Sequence, residues 1–220
     1  MKKVIIFAAS GHGKVVIDIF EKEQKYQIIG LLDDNKPLNS LFFGYSILGK
    51  TEDLPKIVEQ YPDFEMFIAI GDNWIRYKVK KKLQALCPDI RFANAIHPSA
   101  QLAKGVTLGV GNAIMPGAII NSDCQIHNFT IVNTKASLDH DSCMKDFSSL
   151  APNATTGGNV MIGEFSVISI GATIKHGVCI GNHSVIGASA LLLQNCDDRQ
   201  VLYGTPAKAI RNRQLGDKYL

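Results

Sequence analysis

Three consecutive residues carry side chains suited to acid–base chemistry. Asp139, His140 and Asp141 place one imidazole between two carboxylates. An imidazole exchanges protons near neutral pH, and an adjacent carboxylate can fix its tautomer and stabilise the imidazolium. We therefore take His140 as the candidate general base, with a solvated surface histidine as the alternative that chemistry alone leaves open. The other histidines lie in turns or have no acidic neighbour: His12, His97, His127, His176 and His183.

A glycine-containing turn near the N-terminus is suited to bind phosphate. Residues 10–13, Ser-Gly-His-Gly, follow an apolar segment, and Asp33-Asp34 follows the next one. Backbone N–H groups at a helix N-terminus attract anions, and a carboxylate after the second strand can accept hydrogen bonds from a ribose or a base. The turn lacks the third glycine of the dinucleotide fingerprint, so a redox cofactor is not expected. A purely structural connection is the alternative.

The residues that precede Ile96 predict a small α/β unit. Strands are predicted at 3–7, 27–32 and 66–70, and a helix at 14–23. A second, lysine-rich helix is predicted to bury an apolar stripe made of Ile75, Val79, Leu83 and Leu86. Strand, glycine turn, helix, strand and acidic pair, in this order, are typical of a dinucleotide-fold unit whose binding crevice lies at the strand C-termini.

From Ile96 onward an aliphatic residue recurs at every sixth position, with Thr156 as the one exception among seventeen. Four residues after most of these positions comes a small residue. Three repeats of six make one turn of a triangular coil, in which the aliphatic side chains point inward and stack on the next coil. An α-helix is excluded, because its apolar residues would recur at three and four. The seventeen positions are Ile96, Leu102, Leu108, Ile114, Ile120, Ile126, Val132, Leu138, Met144, Leu150, Thr156, Ile162, Ile168, Ile174, Ile180, Ile186 and Leu192.

These two patterns predict an α/β domain at residues 1–95, a parallel β-helix at 96–200 and a C-terminal tail at 201–220. The formal net charge of +3 is too small to argue for nucleic-acid binding. No apolar run reaches the roughly 18 residues of a membrane helix, and the N-terminus has no signal-peptide core, so we expect a cytoplasmic protein without membrane insertion. Five cysteines without a CxxC pair indicate neither a disulfide framework nor a metal site.

Four motifs together resemble those of the hexapeptide-repeat acyltransferases, and within them the NeuD/PglD-like sugar acetyltransferases with a Rossmann-like N-terminal domain. The motifs are residues 9–13, 32–34, 70–73 and 204–208, so the resemblance covers essentially the whole chain. It implies a left-handed β-helix and a homotrimer with active sites between subunits. It also implies transfer of an acetyl group from acetyl-CoA, the co-substrate, to the amino group of a 4-amino sugar linked to a nucleoside diphosphate, with UDP as the first expectation.

The resemblance implies roles for individual residues. His140 is the general base, Asp141 its orienting partner and Asn133 a sugar contact, and no metal is required. Ser149 stands where relatives often carry a second histidine. The implied nucleotide-sugar contacts are Ser10, Gly11, His12, Gly13, Asp33, Asp34, Lys36, Gly71 and Asn73. The implied acyl-CoA contacts are Ser149, Gly158, Ile170, Ala188 and Lys208.

Two alternatives remain at this point. The first is O-acetylation of a sialic-acid-type sugar, in which the same base would deprotonate a hydroxyl group. The second is a non-catalytic trimeric scaffold that binds a nucleotide sugar and releases no thiol from CoA. The Asp-His-Asp sequence argues against the scaffold, and an acceptor panel separates the two enzymes.

Overall fold

The computed structural model describes residues 1–219. Its N-terminal part is a five-stranded sheet in the order β3-β4-β2-β1-β5, parallel except for the antiparallel pair β3-β4. The elements are β1 (Lys2–Phe7), α1 (Gly11–Glu23), β2 (Tyr26–Leu32), β3 (Leu41–Phe42), β4 (Tyr45–Gly49), a 3₁₀ turn (Thr51–Asp53), α2 (Leu54–Gln60), β5 (Phe64–Ile68) and α3 (Asn73–Leu86).

The central strands β1 and β5 are buried because helices cover both faces of the sheet, which is why their sequences are almost wholly apolar. The three predicted strands and both predicted helices are therefore present. The apolar stripe predicted for α3 is wrong at two positions, since Ile75 and Leu86 are 41% and 37% exposed. Leu83 of the predicted stripe is buried, and the other buried residues of α3 are Asn73 and Arg76.

The second part is a left-handed parallel β-helix with three flat faces, built from two-residue strands, and a longer C-terminal hairpin, β23 and β24, is added to face 3. Face 1 contains β7 (Gln101–Leu102), β10 (Ile119–Ile120), β13 (Ser137–Leu138), β16 (Thr155–Thr156), β19 (Thr173–Ile174) and β22 (Leu191–Leu192). Face 2 contains β8 (Thr107–Leu108), β11 (Gln125–Ile126), β14 (Cys143–Met144), β17 (Met161–Ile162) and β20 (Cys179–Ile180). Face 3 contains β6 (Ala95–Ile96), β9 (Ala113–Ile114), β12 (Ile131–Val132), β15 (Ser149–Leu150), β18 (Val167–Ile168), β21 (Val185–Ile186), β23 (Gln200–Gly204) and β24 (Ala207–Asn212).

Each coil contains 18 residues, so Ile120 pairs with Leu138 and Ile168 with Ile186. The positions that recur every six residues are buried from Ile114 to Leu192, as the period predicted. The first three of these positions, Ile96, Leu102 and Leu108, are less buried because they lie at the open end of the β-helix, and Leu102 is 37% exposed. Within each coil the chain passes from face 1 to face 2 and then to face 3. We name each edge of the prism by the two faces that meet there, so the 1–2 edge lies between faces 1 and 2.

The outer side of face 3 is covered, whereas faces 1 and 2 present their outer residues to solvent. Ala113 and Ile131 on face 3 belong to the same apolar cluster as α1 and the N-terminal sheet. By contrast, Ile119 on face 1 and Met161 on face 2 are each 43% exposed. The N-terminal domain therefore lies on face 3, and the 1–2 edge is the edge of the prism opposite to it.

An aromatic stack joins the 2–3 edge to α3. Phe129, Phe147, Phe165 and His183 are spaced by one coil and lie nearly parallel, with ring centroids 5.0, 5.2 and 4.5 Å apart along the stack. Tyr77 of α3 meets two of these rings edge-on at 5.4 Å. This packing fixes the orientation of the N-terminal domain on the β-helix.

The predicted C-terminal tail is more structured than expected. Strands β23 and β24 form an antiparallel hairpin that extends face 3, and the segment after it returns to the N-terminal domain. Tyr219 packs near the apolar group of Val167, Val185 and Val201. None of the helices in residues 1–219 combines the length and the apolar content needed to cross a membrane.

Candidate active site

His140 and Asp141 form the hydrogen-bonded pair that the sequence predicted. Nδ1 of His140 lies 2.7 Å from Oδ2 of Asp141, and both side chains are about half exposed on the 1–2 edge. Because an ionised carboxylate only accepts hydrogen bonds, Nδ1 carries the proton and Nε2 is left as the basic nitrogen. The hydrogen bond to Asp141 raises the pKa of His140, and the charge of Asp139 acts in the same direction.

The backbone around His140 is held by neighbouring coils. Asp141 is in the left-handed region at a φ of 57°, and its N–H donates to the carbonyl of Ser122. The N–H of Asn159 donates to the carbonyl of His140 at 2.8 Å. The carboxylate of Asp139 accepts from the side chain of Asn121 at 2.6 Å and from the N–H of His140 at 2.9 Å. The pair is therefore preorganised by the coil rather than by a mobile loop.

The glycine turn is a helix N-terminus of the predicted kind. Ser10 is the N-cap of α1, and its hydroxyl accepts from the N–H of Gly13 and donates to the carbonyl of Ala69. A β-carbon at Gly13 would stand 2.5 Å from the carbonyl oxygen of Ala8, so this position requires glycine. Gly11 has open space around its α-carbon, which leaves the turn accessible.

The two predicted carboxylates hold loops in place. Oδ2 of Asp33 accepts from the N–H of Ala9, and Oδ1 accepts from the N–H groups of Asn35 and Lys36. Asp33 is buried and joins the loop after β1 to the loop after β2. The following residue, Asp34, accepts two hydrogen bonds from Thr51, and its other oxygen lies 3.7 Å from the ammonium group of Lys82. Lys36 is exposed beside this pair.

His12 is a partly buried, neutral group in the glycine turn. Burial, together with the charge of Arg76, lowers its pKa to about 4. The imidazole is therefore uncharged at neutral pH and cannot supply a positive charge to a phosphate. The anion-binding capacity of the turn rests on its backbone N–H groups.

Asn73 and Ser149, expected as ligand contacts, form a contact between the two domains. The hydroxyl of Ser149 donates to Oδ1 of Asn73 at 2.6 Å, and both residues are buried. Each side chain is thus hydrogen-bonded to the other in this chain, and their contacts with a ligand stay predictions. Gly71, two residues earlier, remains partly exposed.

The remaining predicted residues lie at three separate places. Gly158 lies directly under the imidazole of His140. Asn133, Ile170 and Ala188 follow one another along the 3–1 edge, with Ile170 58% exposed. Lys208 is exposed on β24. In one chain, therefore, the 1–2 edge carries the candidate base, the 3–1 edge carries three predicted ligand contacts, and the N-terminal domain carries the glycine turn.

Comparison with known proteins identifies the family. Residues 3–83 match the model of the PglD N-terminal domain. A mutant of perosamine N-acetyltransferase from Caulobacter crescentus, solved in complex with CoA and GDP-perosamine, is similar with a TM-score of 0.90 and 32% sequence identity. That similarity covers 96% of this chain and 98% of the other. The chain belongs to the PglD-like family of sugar acyltransferases.

Two further relatives place this family member among N-acetyltransferases. The acetyltransferase domain of PglB from Neisseria gonorrhoeae, solved with acetyl coenzyme A, is similar with a TM-score of 0.84 and 28% identity, over 95% of this chain and 99% of that one. The UDP-N-acetylbacillosamine N-acetyltransferase of Bacillus subtilis is 32% identical over 116 residues. These residues are 52% of this chain and 52% of the Bacillus protein, so the chain matches about half the length of that relative.

The structure adds residues to the site region that the sequence did not single out. Arg76, on the lysine-rich helix, is buried and hydrogen-bonded to the 70–73 loop. Tyr219 reaches the same loop from the C-terminus. Asn73 and Arg76 are three residues apart on α3, so the sequence could have shown that they share a helix face. No local sequence pattern connects Tyr219 to these two residues. Within residues 1–219, no group of His, Cys, Asp and Glu is arranged to hold a metal ion.

Proposed function

We propose that this protein is an acetyl-CoA-dependent N-acetyltransferase that acts on the amino group of a 4-amino sugar linked to a nucleoside diphosphate. One observation carries the proposal: His140 is oriented by Asp141 so that Nε2 is a free base on an exposed edge of the β-helix. Family membership supplies the class of reaction, and the perosamine and bacillosamine enzymes among its relatives supply the class of acceptor.

His140 acts as the general base in a direct transfer. The amino nitrogen of the sugar attacks the thioester carbonyl carbon, a C–N bond forms and the C–S bond breaks. Nε2 of His140 takes the proton that the amine loses and returns it to the departing thiolate, so no acyl-enzyme is formed. Asp141 stabilises the imidazolium between these two transfers.

The distribution of residues in one chain supports an assembly with active sites between subunits. The N-terminal domain covers face 3, whereas His140 lies on the opposite 1–2 edge. A nucleotide sugar held by the glycine turn of one chain would therefore meet the base of another. In the proposed homotrimer, the 1–2 edge of one copy lies near the 3–1 edge of the next, which carries Asn133, Ile170 and Ala188.

The relatives point to two nucleotides, UDP and GDP. The sequence favoured UDP, and the Bacillus relative bears a UDP-sugar in its name, whereas the Caulobacter relative was solved with GDP-perosamine. The side chains around the turn do not separate the two bases, because Asp33 and Asp34 are occupied by backbone and Thr51 donors. UDP-linked sugars are therefore the first acceptors to test, and GDP-linked sugars are the alternative.

The decisive assay follows release of the CoA thiol with UDP-, GDP- and dTDP-linked 4-amino sugars, and with free and CMP-linked sialic acids as acceptors. We expect turnover with one nucleotide-linked amino sugar class and loss of about 10²-fold or more in kcat for His140→Ala. His127→Ala, an exposed histidine on the 2–3 edge, is the control and should retain activity. Turnover of sialic acids alone would replace the proposal by O-acetylation, and binding without thiol release would replace it by the scaffold.

Subunit complementation tests the shared site. His140→Ala removes the base, and Gly11→Glu places a negative charge in the open space of the glycine turn. If each site combines His140 of one chain with the turn of another, random 1:1 mixing of the two inactive variants should restore about a quarter of the wild-type activity. A mixture that stays inactive would show that base and turn must belong to the same chain.

A further inference from the structure

A buried polar network surrounds the loop of residues 70–73, which joins β5 to α3. Its centre is Arg76, which is 1% exposed and forms no salt bridge within residues 1–219. Burial of a guanidinium group is costly unless its donors are satisfied, and each of these donors faces a neutral oxygen. A buried arginine bonded only to neutral oxygens therefore suggests a role in addition to packing.

The hydrogen bonds of Arg76 connect both domains to the loop. Nη1 donates to the carbonyls of Ile70 and Gly71 at 2.8 and 2.9 Å. Nε donates to the carbonyl of Phe129, which lies on the 2–3 edge of the β-helix, at 3.0 Å. The planar fork of a guanidinium is what allows one side chain to reach these carbonyls together. The ammonium group of a lysine cannot reproduce this geometry.

Asn73 extends the network to face 3. Its Oδ1 accepts from Nη2 of Arg76 at 2.7 Å and from the hydroxyl of Ser149 at 2.6 Å. Its amide nitrogen lies 3.4 Å from the carbonyls of Phe165 and Ser166. The first residue of α3 is thereby anchored to two coils of the β-helix.

Tyr219 closes the network from the C-terminal segment. Its hydroxyl accepts from the N–H of Asn73 at 2.7 Å and donates to the carbonyl of Gly71 at 3.2 Å. The carbonyl of Gly71 therefore receives hydrogen bonds from two side chains, that of the buried Arg76 and that of the partly buried Tyr219. The ring of Tyr219 lies 5.7 Å from the guanidinium of Arg213, which donates in turn to the carbonyl of His183 on the 2–3 edge.

The loop held in this way lies beside the glycine turn. The hydroxyl of Ser10 donates to the carbonyl of Ala69, immediately before the loop. The charge of Arg76 also reaches the turn, since it contributes to the low pKa of His12. Any displacement of the 70–73 loop would therefore displace the N-cap of α1, which is the proposed anion site.

We propose that Arg76, with Tyr219, is a positioning residue for the nucleotide-sugar site: it holds the 70–73 loop, and through it the glycine turn, at a fixed place relative to the β-helix. This role rests on the proposed function, because it concerns how that substrate is presented to the base. Small displacements of a bound substrate cost large factors in rate, so the network acts on substrate binding and orientation rather than on proton transfer.

Kinetics of Arg76→Lys and Tyr219→Phe test the role. Both variants keep most of the buried volume, and the lysine keeps the charge. We expect the KM for the nucleotide sugar to rise about tenfold, while the KM for acetyl-CoA and the acidic pKa of the kcat profile stay at their wild-type values. Guanidinium ion at low millimolar concentration should partly restore Arg76→Ala. Arg91→Lys, an exposed arginine paired with Asp63, is the control. Equal rises in both KM values, or no change in either, would overturn the proposal.

Hydrogen exchange separates this proposal from the proposed function. Without any ligand, Arg76→Lys should lose protection of the amides at 70–73 and at the start of α1, while amides of faces 1 and 2 keep theirs. Tyr219→Phe should show the same pattern at smaller amplitude. Unchanged protection of the loop would overturn the positioning role even if acetyl transfer is confirmed. Loss of protection would support it even if the acceptor proves to be a different sugar.

Discussion

The imidazole of His140 occupies the space that the missing side chain of Gly158 leaves on the next coil. A β-carbon at residue 158 would stand 2.5 Å from Nε2 of His140 and 2.6 Å from Cε1. The two residues are 18 positions apart, which is one coil, so each is directly above or below the other on the 1–2 edge. Gly158, expected as an acyl-CoA contact, thus leaves the space in which the imidazole of His140 lies.

Gly158→Ala should therefore reduce catalysis with little effect on folding. The added methyl group displaces the imidazole, which can rotate away because it is exposed. We expect kcat to fall about 10- to 100-fold, with a melting temperature within a few degrees of the wild type. Parallel measurement of thiol release and thermal unfolding checks this expectation.

Gly177→Ala is the matched control on the same edge. Gly177 has a φ of +73° and no atom within 4 Å of an added β-carbon. Alanine there should cost about 1 kcal/mol of stability from backbone strain and leave kcat unchanged. If Gly158→Ala and Gly177→Ala affect kcat equally, the contact with His140 is not the cause.

Asp141→Asn should shift the pH profile in a defined direction. Only neutral His140 is a base, so activity rises with pH through its pKa. Because the hydrogen bond to Asp141 raises this pKa, removal of the carboxylate lowers it and moves the acidic limb to lower pH. We expect kcat at its plateau to fall about tenfold or more, since the imidazolium loses its partner. Asp63→Asn, a remote substitution in the N-terminal domain, is the control, and its pH profile of kcat should match that of the wild type.

His12 should make the folded protein less stable as the pH falls. Its folded pKa is about 4, below the value of about 6.5 for an unfolded chain, so only the unfolded state binds a proton between these limits. Stability is therefore lost as the pH falls from about 6.5 to about 4, by up to about 3 kcal/mol from this residue. Urea unfolding of His12→Gln over this range should show a smaller loss than the wild type. If the free energy of unfolding falls with pH equally in His12→Gln and in the wild type, the burial of the imidazole is contradicted.

Phe147 should be a major contributor to the contact between the domains. Its ring is buried between those of Phe129 and Phe165 and meets Tyr77 edge-on. Phe147→Ala should lower the free energy of unfolding by about 3–5 kcal/mol, measured by denaturant titration. Phe43→Ala, at a position that is 54% exposed, should change it by less than about 0.5 kcal/mol.

Much of the fold was predictable because its pattern is local and repeated. An aliphatic residue at every sixth position specifies a triangular coil, since each inward side chain needs an identical neighbour one coil away. The order of strand, glycine turn and helix likewise specified the N-terminal unit. The pairing of His140 with Asp141 was predictable because the two residues are adjacent in the sequence, so their contact is local.

Which residues are buried between the domains depends on how α3 packs against the β-helix. Asn73 and Ser149 are 76 positions apart, and each looks like a solvent-facing polar residue until α3 is placed on face 3. Ile75 and Leu86 looked like core, yet the polar side of α3 faces the β-helix because it carries the hydrogen bonds of Arg76 and Asn73. The α/β unit, the β-helix and the pairing of His140 with Asp141 follow from the sequence alone, because the contacts that define them are local or periodic. The relative placement of the α/β unit and the β-helix depends instead on how their surfaces pack, which no local period records.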